Sequence, residues 1–343
     1  MRVTSSTALA NRTGARAGRL PDLRLDRIRH PYGPCPAALE AADTAYDDPM
    51  PVLAANLRQR LGRAHRLSPD AVSLSPGSDK AIARILECGE GPLVGFPPSA
   101  LATRCSEAAC GREVLAVARG AGRDSSLTLE RAMDLPPNGI AIVDSPSDPL
   151  GSLLSTADAV RLARACRFLI VDERYAELAG FSLLHLSAEF ENIVVVRSFE
   201  YWAGIDDPPC AWVAASPRAA AVLGLDGRLP RREAMAGAMA TLDSLDTVDA
   251  TLRLLREERS RLYRFLRKLS FLEPVPSWAP FLSARVDLVP RARVISGLAA
   301  RNIHVHASEE AGLERVIRIG ISSRSAMDRL RTALLEVGSE LLA

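Results

Sequence analysis

Short apolar, β-branched runs alternate with amphipathic stretches through most of the chain. The runs at residues 71–74, 92–95, 113–117, 139–144, 168–172, 193–197 and 211–214 predict seven strands. Between them, residues 52–63, 78–86 and 155–166 carry helical spacing, and several such stretches open with Ser, Thr or Asp at a capping position. Strands alternating with helices predict an α/β fold with a mostly parallel seven-stranded sheet between helices.

The pattern changes at residue 242. Residues 242–269 form one long, highly charged helical stretch, which predicts a connector into a second unit. Strands near 281–287, 303–306 and 316–321 and a last helix over 326–342 complete a smaller α+β domain. The expected organisation is an N-terminal arm (1–36), a large domain (37–241) and a small C-terminal domain with its connecting helix (242–343).

Composition narrows the classes. A chain of 343 residues suits about two domains, and 48% hydrophobic with 24% charged residues is the balance of a globular protein, neither disordered nor membrane-embedded. With a net charge of only +2 and scattered arginines, neither nucleic acid nor a membrane surface is an expected partner. Six cysteines without a Cys-x-x-Cys pair predict free thiols and no metal site, as in a cytoplasmic protein. Residues 1–20 lack the apolar core of a signal peptide and read as a flexible arm or a transit peptide.

Several positions carry candidate chemistry. Gly77-Ser78-Asp79 follows a strand and opens a helix, where free N–H groups favour an anion, although the same three residues serve as an ordinary N-cap. Asp172 ends a strand, as a site residue or as a cap for the next turn. Arg318 sits between apolar residues and needs a partner, either a ligand carboxylate or an internal acid. His304 and His306 alternate on one strand and so share a face; a general base pair, a metal site and a plain polar edge all remain open. The chain has two lysines, Lys80 and Lys268.

Taken in order, these stretches and four others resemble the fold type I pyridoxal-phosphate aminotransferases, most like the histidinol-phosphate aminotransferase group and threonine-phosphate decarboxylase. His30-Pro31-Tyr32-Gly33-Pro34 resembles the family's Asn-Pro-Tyr-Gly-Pro, and Tyr46-Asp47 its Tyr-Pro-Asp turn. Asp144 to Gly151 resembles Asn-Pro-Asn-Asn-Pro-Thr-Gly, and Ile170 to Tyr175 resembles Val-Asp-Glu-Ala-Tyr. Arg197 to Gly204 resembles the lysine segment Arg-Thr-Phe-Ser-Lys-Ala-Phe-Gly, and Val316 to Gly320 the strand whose arginine binds the substrate carboxylate.

The resemblance implies cofactor contacts at Gly77, Ser78, Asp79, Asp148, Asp172, Tyr175 and Ser198, with Tyr46 reaching the phosphate of a neighbouring subunit in a homodimer. It implies substrate contacts at Tyr32, Tyr201, Trp202 and Arg318. The departures are as informative. Tyr201 stands in the lysine's place, and a tyrosine cannot form the Schiff base. Pro209 stands where an arginine clamps the phosphate. Asp148 replaces an asparagine donor, and an ionised carboxylate only accepts hydrogen bonds. An aliphatic or small residue near Ala100 to Ala102 replaces the ring that stacks on the cofactor.

These departures lead to the expectation that the chain carries no cofactor, or holds pyridoxal or pyridoxamine phosphate only non-covalently, with the catalytic residues unknown. Three functions remain open. The pocket is repurposed for an amino-acid-like or anionic small molecule bearing a carboxylate or phosphate. Alternatively, the chain is the non-catalytic partner of an active aminotransferase-like subunit, or it is an enzyme using a non-covalent cofactor on an amino acid or keto acid.

Overall fold

The seven apolar runs pair into one sheet, in the order Val72–Ser75, Ala211–Ala214, Ile193–Ser198, Phe168–Asp172, Ile140–Asp144, Leu93–Gly95, Val114–Ala116. The structure, a computed structural model, describes residues 21–44, 49–109, 111–121, 126–128 and 135–342. Ala211–Ala214 runs antiparallel to both neighbours; the other pairings are parallel. Every residue of Ile140–Asp144 and Phe168–Asp172 is buried, the mark of parallel strands covered on both faces. Two apolar clusters lie against the sheet. The fold is therefore the expected α/β one, and each predicted strand end lies within one residue of its observed place.

Local signals fix the helix starts. Ser155 Oγ accepts from the Asp158 N–H and Ser99 Oγ from the Leu101 and Ala102 N–H groups, satisfying amides that a helix start leaves open. The long stretch at 242–269 is instead two helices, Arg232–Asp243 and Leu245–Leu266, broken at Ser244. The first of them begins ten residues before the predicted stretch, because its alanine-rich segment is buried.

Beyond the long helix, Leu272–Pro274, Phe281–Val286, Val316–Gly320 and His306–Ala307 form a four-stranded antiparallel sheet. The strand expected at 303–306 is split. Ile303–His304 pairs with Leu23–Arg24 near the start of the described chain, while His306–Ala307 pairs with the Val316–Gly320 strand. His304 and His306 thus belong to different sheets, and the single strand face expected to carry both is not formed. Among the described residues no group of three His, Cys, Asp or Glu side chains could hold a metal ion, and no helix is long and apolar enough to cross a membrane.

The two sheets are tied at one loop. Ser283 Oγ donates to the Pro149 carbonyl, and the Trp278 N–H donates to the Gly151 carbonyl at 2.9 Å. Gly151 has φ +74°, and a Cβ there would lie 2.6 Å from the Ser277 Cβ, so only glycine allows this approach.

One half-buried group gives the fold a pH signature. His65, at the end of the Met50–His65 helix, stacks on Trp212 with ring centroids 4.9 Å apart. Burial, and then the charge of Arg197, push its pKa down to about 4. Below pH 6.5 the unfolded chain takes up this proton and the folded chain does not, so stability is full above pH 6.5 and falls as the pH drops toward 4. His65→Gln is expected to reduce the stability lost between pH 6.5 and 4 by about 2 kcal/mol relative to wild type, measured by urea denaturation at each pH.

Candidate functional site

Asp144, Asp172 and Ser198 are the last residues of three neighbouring strands, and ligands of α/β proteins gather beyond such carboxyl ends. A cavity of about 300 Å³ opens there, facing the four-stranded sheet. Asp79, Asp148, Asp172, Tyr175, Tyr201 and Arg318 line it, together with Ile28, Leu101, Arg104 and Arg174. Of the four residues assigned to a substrate, Tyr201 and Arg318 reach the cavity. Trp202 does not: it is buried in the core, 5.4 Å from the Phe199 ring, with its Nε1–H donating to the Ser198 carbonyl. Tyr32 is half exposed beside His30 and is also absent from the lining. Tyr46 lies outside the described residues.

Asp172, although it lines the cavity, is only 2% exposed. The Arg174 guanidinium lies on it, Nε donating to Oδ2 at 2.8 Å and to Oδ1 at 3.0 Å. Arg174 also reaches Asp79 at 2.7 Å, and Arg104 pairs with the same carboxylate oxygen at 2.5 Å. Burial disfavours the charge on Asp79, but the two guanidiniums prevail and hold its pKa below the usual carboxylate value. The Tyr175 and Tyr201 rings meet edge to face at 4.8 Å, and burial raises both phenol pKa values.

The start of the Ser78–Cys88 helix is also taken. Glu200 Oε1 accepts from the Ser78 N–H at 3.0 Å and from Ser78 Oγ at 3.3 Å. Burial raises the pKa of Glu200, and the Ser78 N–H works against that rise. Gly77, at φ +113°, has Glu200 Oε1 and the Pro209 ring packed where a Cβ would point. Ser198, fully buried, holds this turn by accepting the Glu200 N–H at 2.9 Å.

Of the two partners open to Arg318, the fold supplies an internal one. Its Nη1 pairs with Asp148 Oδ2 at 2.5 Å and its Nη2 donates to the Asp26 carbonyl at 2.9 Å. The guanidinium lies over the Phe281 ring at 5.4 Å. Asp148 is held in turn by buried Asp144, whose Oδ2 accepts from the Asp148 N–H and from Ser99 Oγ, each at 2.9 Å, and whose charge is met by Arg119.

Sequence reasoning assigned no role to Arg174, Glu200, Arg104 or Asp144. For two of them the signal was present: Arg174 and Glu200 stand where the resembling motifs have Ala and Ser. Arg104 carries no such mark, because an exposed-looking helix arginine acquires its partner only when the helix docks beside Asp79.

No family model matches this chain. It is 30% identical over 349 residues to the histidinol-phosphate aminotransferase of Roseiflexus castenholzii, covering 96% of this chain and 92% of the relative. It is 27% identical to histidinol-phosphate aminotransferase 1, chloroplastic, of Arabidopsis thaliana, covering 93% and 80% of the two. The histidinol-phosphate aminotransferase of Sinorhizobium meliloti, solved in complex with pyridoxal-5′-phosphate, superposes with a TM-score of 0.81 at 22% identity over 95% of this chain and 93% of that one. L-threonine-O-3-phosphate decarboxylase of Porphyromonas gingivalis gives 0.76 at 19% over 93% and 99%. These two superpositions show the fold.

The comparisons correct the expectation on the cofactor. The relatives are histidinol-phosphate aminotransferases, a pyridoxal-phosphate-dependent family, and the S. meliloti structure holds that group. The expectation of no cofactor, or of one held only without a covalent bond, is therefore overturned. Of the residues that the resemblance assigns to the cofactor, Asp79, Asp148, Asp172 and Tyr175 line the cavity, whereas Gly77, Ser78 and Ser198 are not among its lining residues. As arranged, the residues do not fit the cofactor: Arg174 covers Asp172, and Glu200 covers the start of the Ser78–Cys88 helix. Neither Lys80 nor Lys268 is among the residues lining this cavity.

Proposed function

Because the chain belongs to the histidinol-phosphate aminotransferase family, we propose that it uses the family's pocket to bind an amino-acid-like or anionic small molecule through Arg318. The observation that carries this reading is a buried guanidinium on the wall of a 300 Å³ cavity, with Nε lacking any hydrogen-bond partner among the described residues. A buried donor without an acceptor is costly, and a ligand carboxylate removes that cost. The aromatic walls, Tyr175 and Tyr201, offer apolar edges and two phenols to the rest of the ligand.

This reading assigns binding rather than the family's amino transfer. Amino transfer calls for an amine at the place of Tyr201, and a phenol with a raised pKa supplies none. Buried Asp172 and Arg174, each holding the other, act as a fixed polar floor.

The test is isothermal calorimetry with amino acids, keto acids, histidinol phosphate and other phosphorylated amines on wild type and Arg318→Ala. The best ligand is expected to lose about ten- to a hundredfold in affinity in the variant, as removal of a charge-assisted hydrogen bond predicts. Equal binding by both proteins, or no ligand for the wild type, would overturn the reading.

A further inference from the structure

A second cavity, of about 650 Å³, lies against the exposed face of the Ser78–Cys88 helix. Its floor is apolar: Leu74, Ala81, Val213 and Leu225 are each 5% exposed or less. Lys80, Arg84 and Glu87 stand on one face of the helix, at the spacing that places side chains above one another, and Arg228 stands with them at the rim. Three cations and one carboxylate line this space, whereas Asp79, Asp144, Asp148 and Asp172 outnumber three arginines in the first cavity. Consecutive residues divide the two: Asp79 lines the first and Lys80 the second.

The fold uses only part of this charge. Arg84 Nε donates to the Gly224 carbonyl at 3.0 Å, and its Nη1 lies 3.6 Å from Glu87 Oε2, so the one carboxylate is already met. Lys80 and Arg228, both exposed, make no hydrogen bond or ion pair with any described residue. An enclosed space of this size, with apolar walls and a few polar groups, is the usual form of a small-molecule site. Charge and surface together narrow what suits it. A cation is repelled by the rim, an inorganic anion leaves the floor wet, and an uncharged apolar molecule gains nothing from the two free cations. An anion with an apolar body satisfies both parts, expelling water from the floor and pairing with the rim.

We infer that this cavity binds a small amphipathic anion, an apolar body bearing a carboxylate or a phosphate, at a site separate from the one lined by Arg318. The body covers Leu74, Val213 and Leu225, and the anionic head meets Lys80 and Arg228. The inference does not depend on what the first cavity holds.

The experiment is calorimetry at pH 7 with octanoate and octyl phosphate. Octylamine has the tail without the anion, and acetate and inorganic phosphate have the anion without the tail. The better of the two octyl anions is expected to bind wild type at least about tenfold more tightly than octylamine, and affinity from butanoate to octanoate is expected to rise by up to about fourfold for each methylene buried. Lys80→Glu with Arg228→Glu, two exposed positions, is expected to lose at least about tenfold in affinity for that anion, while Arg318→Ala binds it as wild type does. Octylamine binding as tightly as the octyl anions, or no binding by wild type, overturns the inference. Binding that falls in Arg318→Ala and survives in the double variant places the ligand in the first cavity and also overturns it. Sedimentation in which the double variant dissociates a wild-type dimer assigns this face to a second copy of the chain, with the same consequence.

Discussion

Replacing Arg174 with alanine is expected to lower the unfolding free energy by about 3–5 kcal/mol, among the largest effects of any single substitution at the site. Arg174 is 6% exposed and Asp172 2%. The guanidinium supplies three contacts of 3.0 Å or less to that carboxylate, so deletion leaves a buried anion whose remaining donor among the described residues is the backbone N–H of residue 174. Asp79 suffers less, since Arg104 still meets it. Removing both charges together, as Asp172→Asn with Arg174→Met, is expected to recover at least half of the loss, because the cost lies in the orphaned charge more than in the missing bond. Urea denaturation of the two single variants and the double variant at pH 7 measures this. A loss below about 1 kcal/mol for Arg174→Ala would mean that Asp172 is met by water and that the pair is no part of the core.

The second large effect is an activity that does not appear. Tyr201→Lys, supplied with pyridoxal phosphate, is expected to remain on the order of a thousandfold or more below a histidinol-phosphate aminotransferase assayed alongside it, since groups that act as one catalytic unit are strongly non-additive. The new amine would stand among residues committed elsewhere. Arg174 would still cover Asp172, Glu200 would still hold the Ser78 N–H, and Asp148 would still be an acceptor bound to Arg318. Adding Arg174→Ala, Glu200→Ser and Asp148→Asn to the lysine variant is expected to raise turnover above that of the single variant, in steps larger than the separate changes predict. A single variant within tenfold of the reference enzyme would show that these occupied contacts do not matter.

The strands were legible because their signal is local. A run such as Ile140–Asp144 or Phe168–Asp172 can bury itself only as a strand inside a covered parallel sheet, so composition and spacing suffice. The split at 303–306 was not legible. Whether Val305 continues one strand or marks the crossing between two sheets depends on Leu23–Arg24 arriving from some 280 residues away. Trp202 illustrates the same limit within the site: its place beside Tyr201 suggested a ligand surface, but on a one-turn helix neighbouring side chains diverge, and Tyr201 faces the cavity while Trp202 packs on Phe199.

The sequence by itself determined the seven strands of the large sheet, the family, and the identity of side chains that depart from the family's pattern, among them Tyr201, Asp148, Pro209, Arg174 and Glu200. It could not determine what those departures do, because a charge has no meaning until its partner is known. Only the tertiary structure decided that Arg174 meets Asp172 from two residues away, that Glu200 meets Ser78 across 122 positions of chain, and that Asp148 meets Arg318 across 170. Electrostatic interaction falls with distance in space and is strengthened by burial, and neither quantity is written along the chain.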